Sequence, residues 1–227
     1  MIDAAVFTVG PVQENCYLVR PTGGDRAVIV DPGEEAPRLL EAIEQLGVTL
    51  EAILITHTHF DHVGAVAPVA KATGAPVWCP EIERPILADI MSFVPWPGFG
   101  PFESYEADHV VNGGERLELA GMTFDVISTP GHSPGHVTYA LAADDAGDAP
   151  ALFSGDVLFQ GSVGRTDLPG ADHATLLRSL ATLLDAYPDE TTVFPGHMGI
   201  TTLGAERATN PFLQGGLGEI PTAPGGA

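Results

Sequence analysis

The chain has 227 residues, 44% of them hydrophobic, with 9 Lys plus Arg against 30 Asp plus Glu and a formal net charge of −21. That length buries a sizeable core without disulfide staples. One lysine, Lys71, and eight scattered arginines cannot grip a phosphate backbone or an anionic bilayer, so neither nucleic acid nor membrane is expected as a partner.

The opening third reads as strands. Residues 4–9, 15–19 and 27–30 are short apolar or alternating runs separated by turn residues. Asp31-Pro32-Gly33 ends the third run. Residues 37–46 follow, with Leu39, Leu40, Ile43 and Leu46 at helical spacing and Gly47 as the stop. Residues 52–56 form a buried strand, and the histidines begin at its carboxyl end. Residues 63–73, rich in Ala and Val, are expected to form one helix stopped by Gly74, and 77–79 a short strand. Residues 91–107 show no period and are rich in Pro, Gly and aromatic side chains. The runs 116–119 and 122–127 form a hairpin that turns at Ala120-Gly121.

Two more strands, 137–141 and 151–154, are joined by a polar turn over 144–148. Residues 172–187 make the clearest helix, with Leu176, Leu177, Leu180, Leu183 and Leu184 on one side and Asp172 as its cap. A late strand covers 191–194. One domain is expected over 1–213, and a flexible Gly/Pro-rich tail over 214–227. The first residues lack a basic segment followed by an apolar core, and no apolar run reaches the length of a membrane span. Cys16 and Cys79 read as buried thiols, and the expected compartment is the cytoplasm.

The chemistry concentrates in Thr56-His57-Thr58-His59-Phe60-Asp61-His62. Imidazole and carboxylate groups prefer water unless paired or metal-bound, so an interior stretch without function would not collect them. His57 and His59 alternate and reach one metal, while Asp61 and His62 turn toward a second. Three later strand ends repeat the pattern: His132 in Thr129-Pro130-Gly131-His132, Asp156 in Ser154-Gly155-Asp156, and His197 in Pro195-Gly196-His197. Seven such residues are too many for one catalytic ion, which takes about three protein ligands. They fit three plus three and a shared carboxylate, for which Asp156, with two oxygens, is the natural bridge. Ligation by nitrogen and oxygen alone suits zinc, manganese or iron.

These motifs together resemble the metallo-β-lactamase-fold hydrolases, over about residues 5 to 213. The resemblance implies an α/β (α+β) fold, a four-layer αβ/βα sandwich with the metal site at one edge. By it, His57, His59 and His132 hold the first of two divalent metal ions, zinc by preference, with iron or manganese also fitting. Asp61, His62 and His197 hold the second, and Asp156 bridges. The segment Gly131-His132-Ser133-Pro134-Gly135-His136, with Gly164-Arg165-Thr166-Asp167, is similar to the glyoxalase II-like branch, which hydrolyses thioesters such as S-lactoylglutathione.

Full-length glyoxalase II has a longer helical C-terminal region with basic residues. Here only residues 201–213 follow the last ligand, and Arg207 is their one cation. Short bacterial members of the branch share this truncation.

The expected reaction is hydrolysis of a thioester of a hydroxy acid and a low-molecular-weight thiol. Two metals about 3.5–4 Å apart share a water and lower its pKa toward about 7, and the bridging hydroxide attacks the carbonyl. Asp61 is the candidate to hold the hydroxide proton. Asp31, at another strand end, is the candidate to orient an imidazole. Arg165 either anchors a substrate carboxylate or pairs with a neighbouring Asp.

His136 is near the site without being a ligand, and His109 and His173 read as surface residues. The rivals are a persulfide dioxygenase, with one iron on two His and one Asp, and a lactonase or other di-metal esterase. True β-lactamases are normally exported and lack a bridging aspartate, and are set aside.

Overall fold

The computed structural model describes residues 1–94, 96–142 and 149–214. β1 (Ile2–Val9), β2 (Glu14–Pro21) and β3 (Arg26–Val30) run antiparallel in sequence order, with Tyr17 opposite both Val6 and Val30. α1 (Ala36–Leu46) crosses to β4 (Thr49–Leu54), which lies parallel to β3. Pro37 sits in its first turn, where no N–H is needed. Leu39 and Ile43 form its buried face, and Gly47, left-handed, ends it. Next come α2 (Phe60–Val63), α3 (Val66–Thr73), β5 (Val77–Pro80), α4 (Arg84–Leu87), a 3-10 turn at Ile90–Ser92 and β6 (His109–Val111). The first sheet thus has the order β1-β2-β3-β4-β5-β6.

The second sheet begins with the hairpin of β7 (Arg116–Leu119) and β8 (Met122–Ser128), followed by β9 (Val137–Leu141) and β10 (Ala151–Gly155). β11 (Leu158–Phe159) and β12 (Ser162–Val163) form a small separate hairpin. α5 (His173–Ala186) returns the chain to β13 (Thr192–Pro195), parallel to β10, and β14 (Thr201–Thr202) and α6 (Leu203–Thr209) follow. The order is β14-β13-β10-β9-β8-β7.

Alternation along the strands makes four layers. In β2, Tyr17 and Val19 face the second sheet and pack with Phe124, Tyr139 and Phe153. Cys16 and Leu18 face the other way, toward Leu39 and Ile43 of α1 and Val66 and Val69 of α3. On the far side, Leu152 and Val193 of the second sheet meet Leu176, Leu180 and Leu183 of α5. The order helix, sheet, sheet, helix is the expected αβ/βα sandwich. Both cysteines are free and buried. Among the described residues no helix is long and apolar enough to cross a membrane.

Two expectations need correction. The single helix over 63–73 is two helices, broken at Gly64 and Ala65. A Cβ at Gly64 would lie 2.5 Å from the Gly33 carbonyl, and the Ala65 N–H donates to the Pro32 carbonyl at 3.0 Å, so the break is where the chain packs on the turn after β3. The strand over 52–56 stops at Leu54, because the Thr56 N–H leaves the ladder and donates to the Asp31 side chain. Residues 91–107 show no period in the sequence, and apart from a 3-10 turn at Ile90–Ser92 their described residues form no helix or strand.

The polar turn over 144–148 and the tail beyond Gln214 lie outside the described residues. α4, β6, β11, β12, β14 and α6 are too short to leave a period in the sequence.

Gly131 fixes the loop between β8 and β9 against α5. Its φ is +135°, and a Cβ there would lie 2.3 Å from the Leu176 backbone nitrogen. Gly131→Ala should destabilise the protein by about 2–4 kcal/mol, and thermal unfolding should show a Tm lower by several degrees. An unchanged Tm would mean that the loop moves off α5 at little cost.

Candidate metal centre

The sandwich brings the carboxyl ends of β3, β4, β8, β10 and β13 to one edge, and each supplies side chains there. The first motif divides by local conformation. His59 is extended, and the rings of His57 and His59, two positions apart, lie with their centroids 4.7 Å from each other. From Phe60 the chain makes one helical turn, closed by the Gly64 N–H on the Phe60 carbonyl, which swings Asp61 and His62 to a different place.

Two groups result. In the first, His59 Nδ1 lies 3.1 Å from His57 Nε2 and 2.8 Å from His132 Nε2. In the second, Asp61 Oδ2 lies 3.3 Å from His197 Nε2 and 3.8 Å from His62 Nε2. Asp156 stands between them. Its Oδ2 is 3.3 Å from His132 Nε2 and 3.6 Å from His197 Nε2, and its Oδ1 is 3.3 Å from His62 Nε2. All seven expected ligand residues therefore converge, in the expected three-and-three division.

The far nitrogens of four imidazoles are already spoken for. His62 Nδ1 donates to Asp31 Oδ2 at 3.1 Å, His132 Nδ1 to the Arg165 carbonyl at 2.8 Å, and His197 Nδ1 to the Gln13 carbonyl at 3.3 Å. The Thr56 hydroxyl gives its one proton to Asp31 Oδ2 at 2.6 Å, so at 3.1 Å it accepts from His57 Nδ1. Each ring thus carries its proton on Nδ1 and turns the Nε2 lone pair into the site.

Lone pairs at such separations repel unless a cation lies between them. His62 Nε2 and Asp156 Oδ1 are buried and have no hydrogen-bond partner, a cost that a bound cation removes. Among the described residues, three groups satisfy metal-site geometry: His57/His59/His132, Asp61/His62/His197 and Asp31/His57/His62. In the third, both Asp31 oxygens are already engaged by Thr56 and His62, so Asp31 holds imidazoles rather than a metal. The site is a His/Asp cluster suited to divalent metal ions.

Proton affinities differ between the groups. Burial, reinforced by neighbouring imidazoles, pushes His57 well below the usual histidine range and His59 down to about 4. Burial acts the same way on His62 and His197, but the Asp156 and Asp61 carboxylates overcome it and raise both. Burial opposes ionisation of Asp61 and Asp156, yet His62 and His197 hold both carboxyls below the ordinary range.

Asp31 is expected to orient an imidazole, and Arg165 either to anchor a substrate carboxylate or to pair with a neighbouring Asp. Asp31 does so with its carboxyl group. The Arg165 guanidinium makes a two-point ion pair with Asp167, at 2.6 and 2.7 Å, while its backbone carbonyl accepts from His132 Nδ1. His136 is buried, and its Nε2 accepts from the Asp156 N–H at 3.0 Å, so it steadies that loop and is not a ligand. His109 is exposed and stacks on Trp78, and His173 is exposed on α5.

Beside the metal centre, sequence reasoning missed two buried acids, Glu14 and Glu83. Glu14, on β2, has neither oxygen hydrogen-bonded, lies 3.8 Å from His62 Nδ1, and is driven well above the usual carboxyl range by burial. Glu83, just before α4, accepts from the Thr58 hydroxyl at 2.7 Å and the Thr58 N–H at 3.3 Å. It also accepts from the Ser133 hydroxyl at 2.7 Å and the Gly135 N–H at 2.8 Å. One carboxyl group thus ties the His57–His59 loop to the His132 loop. Nothing in Glu81-Ile82-Glu83-Arg84 distinguishes it from a surface residue. Glu83→Ala strands these buried donors and should cost about 3 kcal/mol in urea unfolding, with Glu83→Gln, which keeps one acceptor, costing less. Equal stability of the wild type and both variants would show that water replaces the carboxyl group.

Comparison with known proteins agrees with this geometry. The metallo-beta-lactamase superfamily profile matches residues 9–197. The probable metallo-hydrolase YqgX of Bacillus subtilis is 39% identical over 212 residues, covering 91% of this chain and 95% of that protein. The hydroxyacylglutathione hydrolase GloC of Haemophilus influenzae is 36% identical over 214 residues, covering 93% and 98%. Among solved structures, BLEG-1 B3 metallo-beta-lactamase has a TM-score of 0.84 at 40% identity, covering 94% of this chain and 100% of that one. TTHA1623 in a di-iron-bound form has a TM-score of 0.73 at 44% identity, covering 92% and 100%. With the fold, the site edge and the matched span in agreement, the chain belongs to the metallo-beta-lactamase superfamily, on its glyoxalase II-like branch.

Proposed function

We propose that this protein is a di-metal hydrolase that cleaves a small-molecule thioester of a hydroxy acid and a low-molecular-weight thiol, and that residues 1–213 act as one domain. The observation that carries the reading is the pair of three-residue groups joined by Asp156. His57, His59 and His132 would hold one metal, Asp61, His62 and His197 the other, and Asp156 would touch both. When bound, such metals polarise a carbonyl and make water acidic enough to attack near neutral pH.

The remaining roles belong to the chain. Asp31, Thr56, Arg165 and Gln13 hold the imidazoles in the tautomer that presents Nε2. Asp61 lines the cavity beside the site. Its carboxyl group is held below the usual range, so it orients attacking water by accepting a hydrogen bond more readily than by taking the proton. A thiol with a pKa near about 8.5 leaves as thiolate with little acid help, and no separate acid is required.

The complete second group favours a hydrolase over a dioxygenase with a single iron. Zinc is the metal proposed; the di-iron-bound form of TTHA1623 gives iron equal standing for trial. Two free buried thiols fit a reducing compartment, the cytoplasm. β-Lactam opening is the second reading, favoured by the 40% identity to BLEG-1 B3 metallo-beta-lactamase.

Metal-loaded protein should release free thiol from S-D-lactoylglutathione and lose that activity on chelation. Absence of release from protein carrying two metals per chain, beside turnover of a chromogenic cephalosporin, would replace the first reading with the second.

Metal loading should depend on pH in a set order. His62 and His197 bind protons more tightly than ordinary histidines, whereas His57 and His59 bind them less tightly. A proton on a ligand nitrogen competes with the metal, so acidification from about pH 8 to 6 should empty the Asp61/His62/His197 group first. Stoichiometry measured after dialysis should fall from two metals toward one. Parallel loss of both metals would contradict this difference between the groups.

A further inference from the structure

We infer that the preferred substrate is an uncharged thioester with an apolar arm, an apolar acid joined to a neutral thiol; this rests on the thioester-hydrolase reading of the same site and replaces only its choice of a hydroxy acid. The metal-site side chains form one wall of a cavity of about 370 Å³, a size suited to a small molecule. The rest of its lining is chiefly apolar. Phe60, Ile90 and Val163 are buried lining residues, and Ile86 and Leu168 are half-buried. Four large apolar side chains ring the mouth and are exposed: Val12 at 39%, Phe93 at 54%, Trp96 at 43% and Met198 at 58%. Exposed apolar residues are ordinary singly, but a ring of them around a cavity marks a binding surface.

Charge points the same way. Among the described residues Arg165 is the one Lys or Arg on the lining, and its two contacts with Asp167 neutralise it. Its guanidinium lies 5.9 Å from the centre of the Trp96 ring, part of the same wall. A thiol such as glutathione brings two carboxylates, which lose water on entering and, away from the metal positions themselves, find no unpaired Lys or Arg among the described lining residues to replace it. The formal charge of −21 adds long-range repulsion.

The test compares kcat/KM of metal-loaded enzyme on hexanoyl-N-acetylcysteamine, lactoyl-N-acetylcysteamine and S-D-lactoylglutathione. The two neutral thioesters separate the acyl group from the thiol. Buried methylenes should favour hexanoyl over lactoyl by about tenfold, and the neutral lactoyl thioester should exceed the glutathione one, by a margin that shrinks with added salt. Asp167→Asn, which frees Arg165, should narrow that margin by about threefold. S-D-lactoylglutathione as best substrate would overturn the inference and leave the hydrolase reading standing, and a margin unmoved in Asp167→Asn would overturn the part given to the ion pair.

If no thioester is cleaved, the hydrolase reading falls, and binding decides the inference separately. S-hexyl-N-acetylcysteamine and S-hexylglutathione, neither hydrolysable, are titrated against tryptophan fluorescence in metal-loaded and chelated protein. Trp96→Phe identifies the signal from the cavity, because Trp78 is the other tryptophan of the chain. Tighter binding of the neutral thioether upholds the inference; equal or tighter binding of the glutathione conjugate overturns it.

Discussion

Asp31 ends β3 in a left-handed backbone conformation, φ 47°, with a buried side chain that accepts from the Thr56 N–H, the Thr56 hydroxyl and His62 Nδ1. Much of the site depends on this carboxyl group. Through Thr56 it sets the tautomer of His57, in one group, and directly it sets that of His62, in the other. It also takes the Thr56 N–H out of the β4 ladder, releasing the chain into the loop that carries the motif. A short polar residue is needed to reach three donors from a strand end, and Asp is among the few non-glycine residues that tolerate positive φ.

The contrast between the two groups follows from their neighbours. Both are buried, and burial alone disfavours a charged imidazole anywhere in the site. His57 and His59 look mainly at other imidazoles, and so remain neutral. His62 and His197 look at Asp61 and Asp156, and so attract protons. The seven side chains thus form a site in which carboxylate charge is concentrated at one end. Asp156, joining the ends, is fixed in turn by His136 on its backbone N–H.

Much of this architecture is legible in the sequence because it rests on residue types with few uses in an interior. Three histidines and an aspartate in six positions have no apolar excuse, and the Gly and Pro beside His132, Asp156 and His197 announce strand ends. The four layers follow from the family resemblance and not from pattern alone, because Cys16 to Val19 of β2 are one continuous apolar run whose successive residues feed two different cores. Glu83 and Glu14 were not legible, because a buried acid and a solvated one look alike until their surroundings are known. The break between α2 and α3 was hidden for a similar reason. Gly64 and Ala65 are compatible with a helix, and only the packing of Gly33 and Pro32 against them decides otherwise.

Arg165 shows a limit of a different kind. Its side chain draws attention in the sequence, but it is the backbone carbonyl that receives His132 Nδ1. Gln13 serves His197 in the same way. Where a carbonyl does the orienting, side-chain identity is released for other work, provided that the loop keeps its shape. At position 165 the freed side chain lies on the cavity wall and is neutralised by Asp167. The same loop can therefore hold a metal-site imidazole through its backbone while its side chains set what charge a substrate meets. Catalytic geometry and substrate preference can then vary independently, consistent with one superfamily site edge serving proteins with names as different as hydroxyacylglutathione hydrolase and B3 metallo-beta-lactamase.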